Sequence, residues 1–246
     1  MKRKLCCLLA IVLLLCLAAC NGQPKDEVSD NTASDAADTA VIDEEGVTTS
    51  KEDEEAAPEP AVLDETEHGK VLIAYFTWAE NAADTGNVDA VSSASVLPPG
   101  NVAQMASWIQ QEIGGDLFSI QVEEPYSSDY DACLERAADE KAENARPALK
   151  ERLESIAEYD TIFIGYPNWW YSAPMPVFSF LEEYDFAGKT VVLFCSHGTG
   201  GLASSVQDIS AALPDSAIES NVLGVYREEV QESQESIRNW LNEIGY

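Results

Sequence analysis

The sequence predicts an α/β fold in which helices cover both faces of a doubly wound, five-stranded parallel sheet of strand order 2-1-3-4-5. Short strand-like runs alternate with segments of helical apolar spacing throughout residues 70–246. Three of the runs, at 71–76, 161–166 and 190–195, are apolar at nearly every position, which is typical of strands covered on both sides. Right-handed crossovers between parallel strands then place helices on both faces of the sheet.

The first unit of this domain consists of a strand, a long polar stretch and a helix. The strand at 71–76 is followed by the polar residues 77–100 and by a helix predicted at 101–113. Apolar residues recur in that helix at three- and four-residue spacing, and Gly114 and Gly115 come directly after it, as is typical of a helix end.

The rest of the domain repeats the alternation of strands and helices. A second strand is predicted at 117–122, a third at 161–166, a fourth at 190–195 and a weaker fifth at 217–225. The predicted helices cover 129–157, as one or two helices around Pro147, and then 176–184, 201–213 and 234–244.

The N-terminus has the order of a bacterial lipoprotein signal. Residues 2–4 are basic and precede an apolar run at 5–17, which is short for a membrane-spanning helix. Small residues then precede Cys20, which resembles a lipobox, where cleavage leaves the cysteine as a lipidated N-terminus. We therefore expect 1–20 to be a lipoprotein signal peptide and Cys20 to anchor the protein to the outer face of the bacterial cell membrane. The alternative is an ordinary secretory signal with an incidental cysteine.

The charge of the chain excludes one class of partner. The net charge is -30, and residues 21–69 combine runs of Asp and Glu with Ala, Ser, Thr and Pro, which predicts an acidic, disordered linker. The domain is acidic as well and has no basic residue between Lys70 and Arg136, so nucleic acid is not expected as a partner. Once the signal is removed only Cys133 and Cys195 remain in the folded part, so no disulfide framework is expected.

Ligands of such sheets bind beyond the carboxyl ends of the strands, so the loops after the first, third and fourth strands are the candidate site. Thr77 and Trp78 come directly after the first strand. The long loop that they begin contains no Lys or Arg, so an anion there would be held by backbone amides and hydroxyls.

Two Gly-Asn pairs are candidates for binding a phosphate. Gly100-Asn101-Val102 begins the first predicted helix, where free backbone N–H groups and the helix dipole can hold a phosphate without a basic side chain. Gly86-Asn87 is a competing candidate within the preceding loop. An ordinary capped helix start is the alternative for the first pair.

Three consecutive aromatic residues follow the third strand. The segment consists of Pro167, Asn168, Trp169, Trp170 and Tyr171. Aromatic rings at a strand end can stack on a planar heterocycle and shield it from water. The alternative is that one Trp is a core residue and the other lies on the surface.

A glycine-rich loop follows the fourth strand and consists of Ser196, His197, Gly198, Thr199 and Gly200. Glycines let backbone amides approach a ligand closely because they have no side chain. His197 could hydrogen-bond a ligand or donate a proton, and capping of the local backbone is the alternative. Ser196 and His197 would suit a hydrolase, but the sequence has no Gly-x-Ser-x-Gly motif.

Taken in order, these motifs resemble the flavodoxin-like family of proteins that bind flavin mononucleotide (FMN). A strand ending in YFT at 75–77, GN at 100–101, YPNWW at 166–170 and GKTVV at 188–192 precede the glycine-rich loop. The resemblance covers residues 70–246. It implies the same fold and FMN as the cofactor.

The resemblance also implies roles for the candidate residues. Thr77 and residues 100–102 would hold the ribityl phosphate, 167–170 would line one side of the flavin ring, and 197–200 the other. The chemistry would then belong mainly to the cofactor, with no catalytic side chain and no metal. The chain departs from the family pattern at Val102, where Thr or Ser is usual.

An electron carrier is the function that the resemblance implies. Its redox partner protein, or a small-molecule electron donor or acceptor, would meet an acidic face near the flavin, and this charge would lower the flavin potential. The alternatives are an NAD(P)H- or quinone-dependent flavin reductase, with His197 and Tyr171 contacting the substrate, and a flavin-free binding module. No basic residue for a nicotinamide phosphate is evident in the sequence.

Overall fold

A computed structural model of the protein describes residues 69–84 and 97–246. The chain divides into two units, Met1–Ala57 and Pro58–Tyr246, and every described residue belongs to the second. The predicted signal peptide with Cys20, nearly all of the linker, and Gly86-Asn87 lie outside the described residues. Within the described ranges, no helix has the length and apolar content needed to cross a membrane.

The sheet has the predicted order 2-1-3-4-5, and all of its paired strands are parallel. Its fifth position is occupied by two short strands, because β5 pairs with the beginning of β4 and β6 with the end. The strands are β1 (Val71–Tyr75), β2 (Asp116–Ser119), β3 (Thr161–Pro167), β4 (Thr190–His197), β5 (Ala217–Ile218) and β6 (Leu223–Tyr226).

Helices cover both faces of the sheet, as predicted. Successive side chains of a strand point to opposite faces of the sheet. Ile162 and Ile164 therefore pack into the core beneath α3, α4 and α5. Phe163 packs into the core beneath α2 and α6. A single turn of 3-10 helix at Val230–Glu232 precedes the last helix. The helices are α1 (Trp78–Asn81), α2 (Asn101–Ile113), α3 (Tyr130–Ala142), α4 (Met175–Glu183), α5 (Ser205–Ala212) and α6 (Gln234–Glu243).

Two element predictions were wrong for a common reason. The second strand ends at Ser119 instead of residue 122, and the helix predicted at 129–157 ends at Ala142. Beyond both ends, the chain pairs with itself in an antiparallel bridge between Val122 and Leu149. Backbone hydrogen bonds near this bridge pair N–H and C=O groups that would otherwise be paired within a longer strand or helix.

Three smaller differences concern element ends. β4 continues through Ser196 and His197 because both residues pair with β6. The helix predicted at 201–213 begins at Ser205, and the predicted fifth strand is interrupted between Ile218 and Leu223. α1 and the 3-10 turn were not predicted, since each is too short to show a period.

Gly165 allows β3 and β4 to pack closely. It pairs with Phe194, and a Cβ at this position would overlap with the Phe194 ring, which is fully buried. We expect Gly165→Ala to lower the free energy of unfolding by about 1–3 kcal/mol, because the packed ring cannot move aside. Gly198→Ala is the control, since a Cβ there meets nothing within 4 Å. Chemical denaturation of both variants tests this, and equal stabilities would contradict it.

Candidate functional site

The carboxyl ends of β3, β4 and β6 meet at one edge of the sheet, around a cavity of about 360 Å³. The first residues after the third and fourth strands line it, as predicted from the order of the sheet. The lining residues are Trp78, Tyr130, Cys133, Leu134, Ala137, Pro167, Asn168, Trp169, Trp170, Tyr171, Ser196, His197, Gly198, Thr199, Gly200 and Arg227.

A larger groove, of about 690 Å³, lies between α3 and the residues around the Val122–Leu149 bridge. No aromatic side chain of the described residues lines this groove, so it lacks the flat apolar walls that suit a planar ligand. Its lining is mainly charged and includes Glu123, Glu124, Glu135, Asp139, Glu140 and Glu143. The smaller cavity is therefore the candidate site.

Trp169 is the centre of an aromatic cluster on the floor of the cavity. Its ring makes edge-to-face contacts with Phe76, Trp78 and Tyr126, at centroid distances of 5.4, 6.0 and 5.2 Å. Trp78 is fixed by a hydrogen bond of 3.1 Å from its Nε1 to the carbonyl of Ser127. Trp169 is therefore a packing residue and a lining residue at once, whereas sequence reasoning treated these as alternatives.

Trp170 and Tyr171 form a tight turn with an unusual backbone. Backbone hydrogen bonds in both directions join Trp169 and Ser172, at 2.9 and 3.0 Å. The two central residues have φ values of 50° and 65°. This is the pattern of a type I′ turn, which normally takes Asn and Gly, and each left-handed residue with a side chain costs about 1 kcal/mol. Such strain is concentrated at functional sites in proteins.

Contacts from two helices hold this turn in place. Trp170 donates from Nε1 to the carbonyl of Leu134 at 2.8 Å, and Lys141 donates to the carbonyl of Trp170 at 2.6 Å. Ser204, directly before α5, donates to the carbonyl of Tyr171 from its hydroxyl and its backbone N–H, at 2.8 and 3.1 Å. The ring of Tyr171 stays 64% exposed. The turn is thus a fixed wall with one free aromatic side chain.

The residues at the end of β4 are fixed mainly through the backbone. Asn168 donates from its side chain to the carbonyl of Gly201 at 2.5 Å and from its backbone to that of Ser196 at 2.9 Å. His197 donates from Nδ1 to the carbonyl of Gly198 at 2.9 Å. In the described part of the chain no hydrogen bond joins the His197 ring to Ser196, so a nucleophile–base pair is not formed.

The residues predicted to hold a phosphate lie beside the cavity and do not line it. Gly100 precedes α2 with a φ of 77°, and Val102 is buried in the core. Thr77 is buried, and its carbonyl accepts a hydrogen bond from Asn81 at 2.8 Å. Asn101 is closest to the site, because its Nδ2 donates to the hydroxyl of Ser196. Their role toward a phosphate stays a prediction.

Comparison with known proteins identifies the family. The sequence model of the flavodoxin family matches residues 88–244. The chain belongs to the flavodoxin family. No curated protein matches the sequence.

Two solved structures agree with this assignment. A protein of Bacteroides eggerthii assigned as a flavoprotein is 30% identical with a TM-score of 0.56, over 73% of this chain and 99% of that one. Another, from Bacteroides uniformis, is 28% identical with a TM-score of 0.52, over 72% and 99%. A flavoprotein of Lactobacillus acidophilus in complex with FMN is 20% identical with a TM-score of 0.48, over 67% and 97%.

Sequence reasoning missed two parts of the flavodoxin site. One is the inner face of α3, where Tyr130, Cys133, Leu134 and Ala137 recur at three- and four-residue spacing. The sequence shows this spacing, but it does not show which loop this face of α3 contacts. The other is Arg227, directly after β6, which the strand-end rule could have included had the strand been bounded correctly.

The charge of the flavodoxin cavity differs from the expectation. No carboxylate is among the described lining residues, and Arg227 contributes a cation. The prediction of negative charge near the flavin ring has no carboxylate to support it in this described lining and stays a prediction, and Arg227 is a basic residue at the cavity that the sequence did not make evident. Composition could not reveal this, because the acidic residues lie elsewhere on the domain surface.

The two cysteines of the flavodoxin domain are neutral thiols. Burial raises the pKa of Cys133 to about 12, against the opposing effect of Arg136. Burial also raises the pKa of Cys195. Both thiols are therefore expected to be protonated near neutral pH, which disfavours nucleophilic attack and metal binding.

These thiols predict a loss of stability at alkaline pH. In the unfolded chain a thiol ionises near pH 8.5, whereas in the folded chain Cys133 stays protonated up to about pH 12. Above the lower value the unfolded state binds fewer protons, so stability falls by about 1.4 kcal/mol per pH unit for each such group. We expect Cys133→Ala to reduce the slope by that amount in urea denaturation between about pH 9 and 10.5. Equal slopes would contradict it.

Proposed function

We propose that this flavodoxin binds FMN in the cavity at the ends of β3 and β4 and uses it to carry electrons. The observation that carries the proposal is the cavity lining, which combines the aromatic residues Trp169, Trp170 and Tyr171 with the glycine-rich residues 197–200. The cavity, of about 360 Å³, has the size of a small-molecule site. Family membership supports FMN as the ligand.

The residues present fit a planar ring with a polar tail. The aromatic floor and the Trp170–Tyr171 turn offer flat apolar surface, and the strain in that turn is maintained by contacts from two helices. At the other end of the cavity, Ser196 and Arg227 contribute polar groups. When bound, FMN supplies one- or two-electron chemistry, and the side chains described here bind it, orient it and exclude water.

An acidic stripe supports a positively charged redox partner. Asp131, Glu135, Asp139 and Glu143 lie at four-residue spacing along α3 and its end, and all four are exposed. The opposite face of the same helix lines the cavity. A basic partner docked on the stripe would be separated from the proposed flavin by α3, and the charge would mainly accelerate encounter. Transfer to such a partner is expected to slow as the salt concentration rises.

The location proposed from the sequence is the outer face of the cytoplasmic membrane. Cys20 would carry the lipid, and the acidic linker at 21–69 would act as the tether. A flexible chain of that length reaches roughly 35 Å, and repulsion between its charges extends it further. That reach would let the domain meet partners clear of the membrane.

Arg227 favours a second candidate, a flavin reductase that uses a pyridine nucleotide. A guanidinium at the cavity is the kind of group that binds a nucleotide phosphate. The hydrogen bond from His197 to Gly198 is made by Nδ1, so it leaves Nε2 unused. In this candidate the nucleotide would supply the electrons directly.

Anaerobic spectroscopy of the FMN-loaded full chain separates the two candidates. A carrier is expected to keep its flavin oxidised when NADPH or NADH is added, and to be reoxidised after dithionite by a basic electron-carrier protein such as cytochrome c. Bleaching of the flavin by the nucleotide alone would favour the reductase. Failure of both reactions in a protein that retains FMN would contradict the proposed function.

A further inference from the structure

Arg227 is the only described arginine whose charge has no partner among the described residues. It directly follows β6, its backbone N–H donates to the carbonyl of His197 at 2.8 Å, and the residue is half-buried at the cavity. Each of the other four described arginines has a carboxylate partner. These pairs are Arg136–Glu140, Arg146–Glu182, Arg152–Glu183 and Arg238–Glu112.

The composition makes this exception informative. The chain has 44 acidic residues against 14 Lys and Arg, so a surface arginine is expected to have a carboxylate nearby. A half-buried guanidinium without an anion keeps its desolvation cost uncompensated. An arginine left without a carboxylate, at a cavity that no described carboxylate lines, is therefore available to an anion from outside.

The neighbourhood of Arg227 has further unused polar capacity. Asn101, the first residue of α2, donates from Nδ2 to the carbonyl of Arg227 at 2.9 Å and to the hydroxyl of Ser196 at 3.3 Å. Its Oδ1 is buried and has no hydrogen-bond partner. The contact also brings the amino-terminal end of α2, with its positive dipole, next to Arg227. A cation at the cavity, Arg227, therefore has a helix start and an unsatisfied amide oxygen beside it.

We infer that Arg227 binds a phosphoryl group of the ligand that fills this cavity. A guanidinium offers paired N–H donors that match phosphate oxygens, and a ligand hydroxyl could satisfy Asn101 Oδ1. The inference rests on the proposed function for the identity of the cavity. The phosphoryl group has two possible sources, the ribityl phosphate of FMN and a phosphate of a pyridine nucleotide. Loss of Arg227 is expected to weaken binding of FMN in the first case and of the nucleotide in the second.

The test measures binding of matched ligands with and without the phosphate. The full chain, Arg227→Gln, Arg227→Lys and Arg152→Gln would be titrated with FMN and with riboflavin, which lacks the phosphate. NADPH and reduced nicotinamide riboside form the second pair. Flavin fluorescence reports the first pair and quenching of Trp78, Trp169 and Trp170 the second. Arg152→Gln removes the same charge from an exposed residue outside the cavity lining.

If FMN is the source, Arg227→Gln should weaken FMN binding about 10- to 100-fold and change riboflavin binding less than about twofold. Arg227→Lys should recover part of the loss. If the nucleotide is the source, Arg227→Gln should bind FMN as tightly as the parent does. Its affinity for NADPH should fall, and its affinity for reduced nicotinamide riboside should not change. Either result supports the inference, and identical behaviour of Arg227→Gln and Arg152→Gln with all four ligands would overturn it.

The same titrations separate this inference from the proposed function. A parent chain that binds neither flavin refutes the FMN proposal, and the nucleotide pair then still tests Arg227. Binding of neither ligand pair refutes both. Misfolding is not expected to interfere, because the Arg227 side chain has no described partner to lose, and equal thermal unfolding of Arg227→Gln and parent checks this.

Discussion

Trp169→Ala is expected to abolish retention of FMN and to lower the free energy of unfolding by about 3 kcal/mol. Trp169 contacts Phe76, Trp78 and Tyr126 and also lines the cavity, so its removal takes away both packing and ligand contact. The measurements are chemical denaturation and the visible spectrum after desalting from excess FMN. Trp169→Phe should keep most of both properties, because an aromatic ring remains.

Trp240→Ala is the matched control for this substitution. Trp240 is buried on the opposite face of the sheet, packs edge-to-face on Phe163 and donates to the carbonyl of Asn221 at 2.7 Å. Its loss should destabilise the domain by a similar amount and leave FMN affinity unchanged under conditions where the domain is folded. FMN binding by Trp169→Ala at the level of the parent would contradict the proposed site.

Tyr171→Gly is expected to weaken FMN binding about three- to tenfold without loss of stability. The ring is largely exposed, and its contacts with the rest of the domain are few beyond Gly200. The backbone at Tyr171 has a φ of 65°, which glycine adopts without strain. The free energy of unfolding should therefore stay unchanged or rise by up to about 1 kcal/mol.

Tyr171→Phe keeps the ring and serves as the control, so its FMN affinity should match the parent. Fluorescence titration and urea denaturation of both variants give the two quantities. A stability loss in Tyr171→Gly would show that the ring packs against the fold, and unchanged FMN affinity would show that it does not contact the flavin. The opposite directions of the two expected effects distinguish a binding residue from a structural one.

The sheet could be predicted because its central strands are nearly continuous apolar runs. Burial of Ile162, Phe163 and Ile164 on alternating faces requires helices on both sides, and the crossover rule then limits the strand order. Edge elements were less predictable. The chain after β2 and the chain after α3 pair with each other through Val122 and Leu149, a contact between distant residues that no local pattern records.

The site was predictable where a loop directly follows a strand. Residues 167–171 and 196–200 were found because the carboxyl ends of parallel strands meet at one edge. The left-handed backbone of Trp170 and Tyr171 was not predictable, because contacts from Leu134, Lys141 and Ser204 impose it against the local preference of both residues. The same dependence on distant partners hid the role of α3.

Retention of FMN by the full chain is the most direct test of the proposed function. The purified protein would be mixed with excess FMN, desalted and measured by visible absorption beside the Trp169→Ala, Trp170→Ala double variant. We expect an approximately equimolar flavin spectrum in the parent and little or none in the variant. A colourless parent would contradict both the carrier and the reductase, and would leave a flavodoxin fold that binds something else.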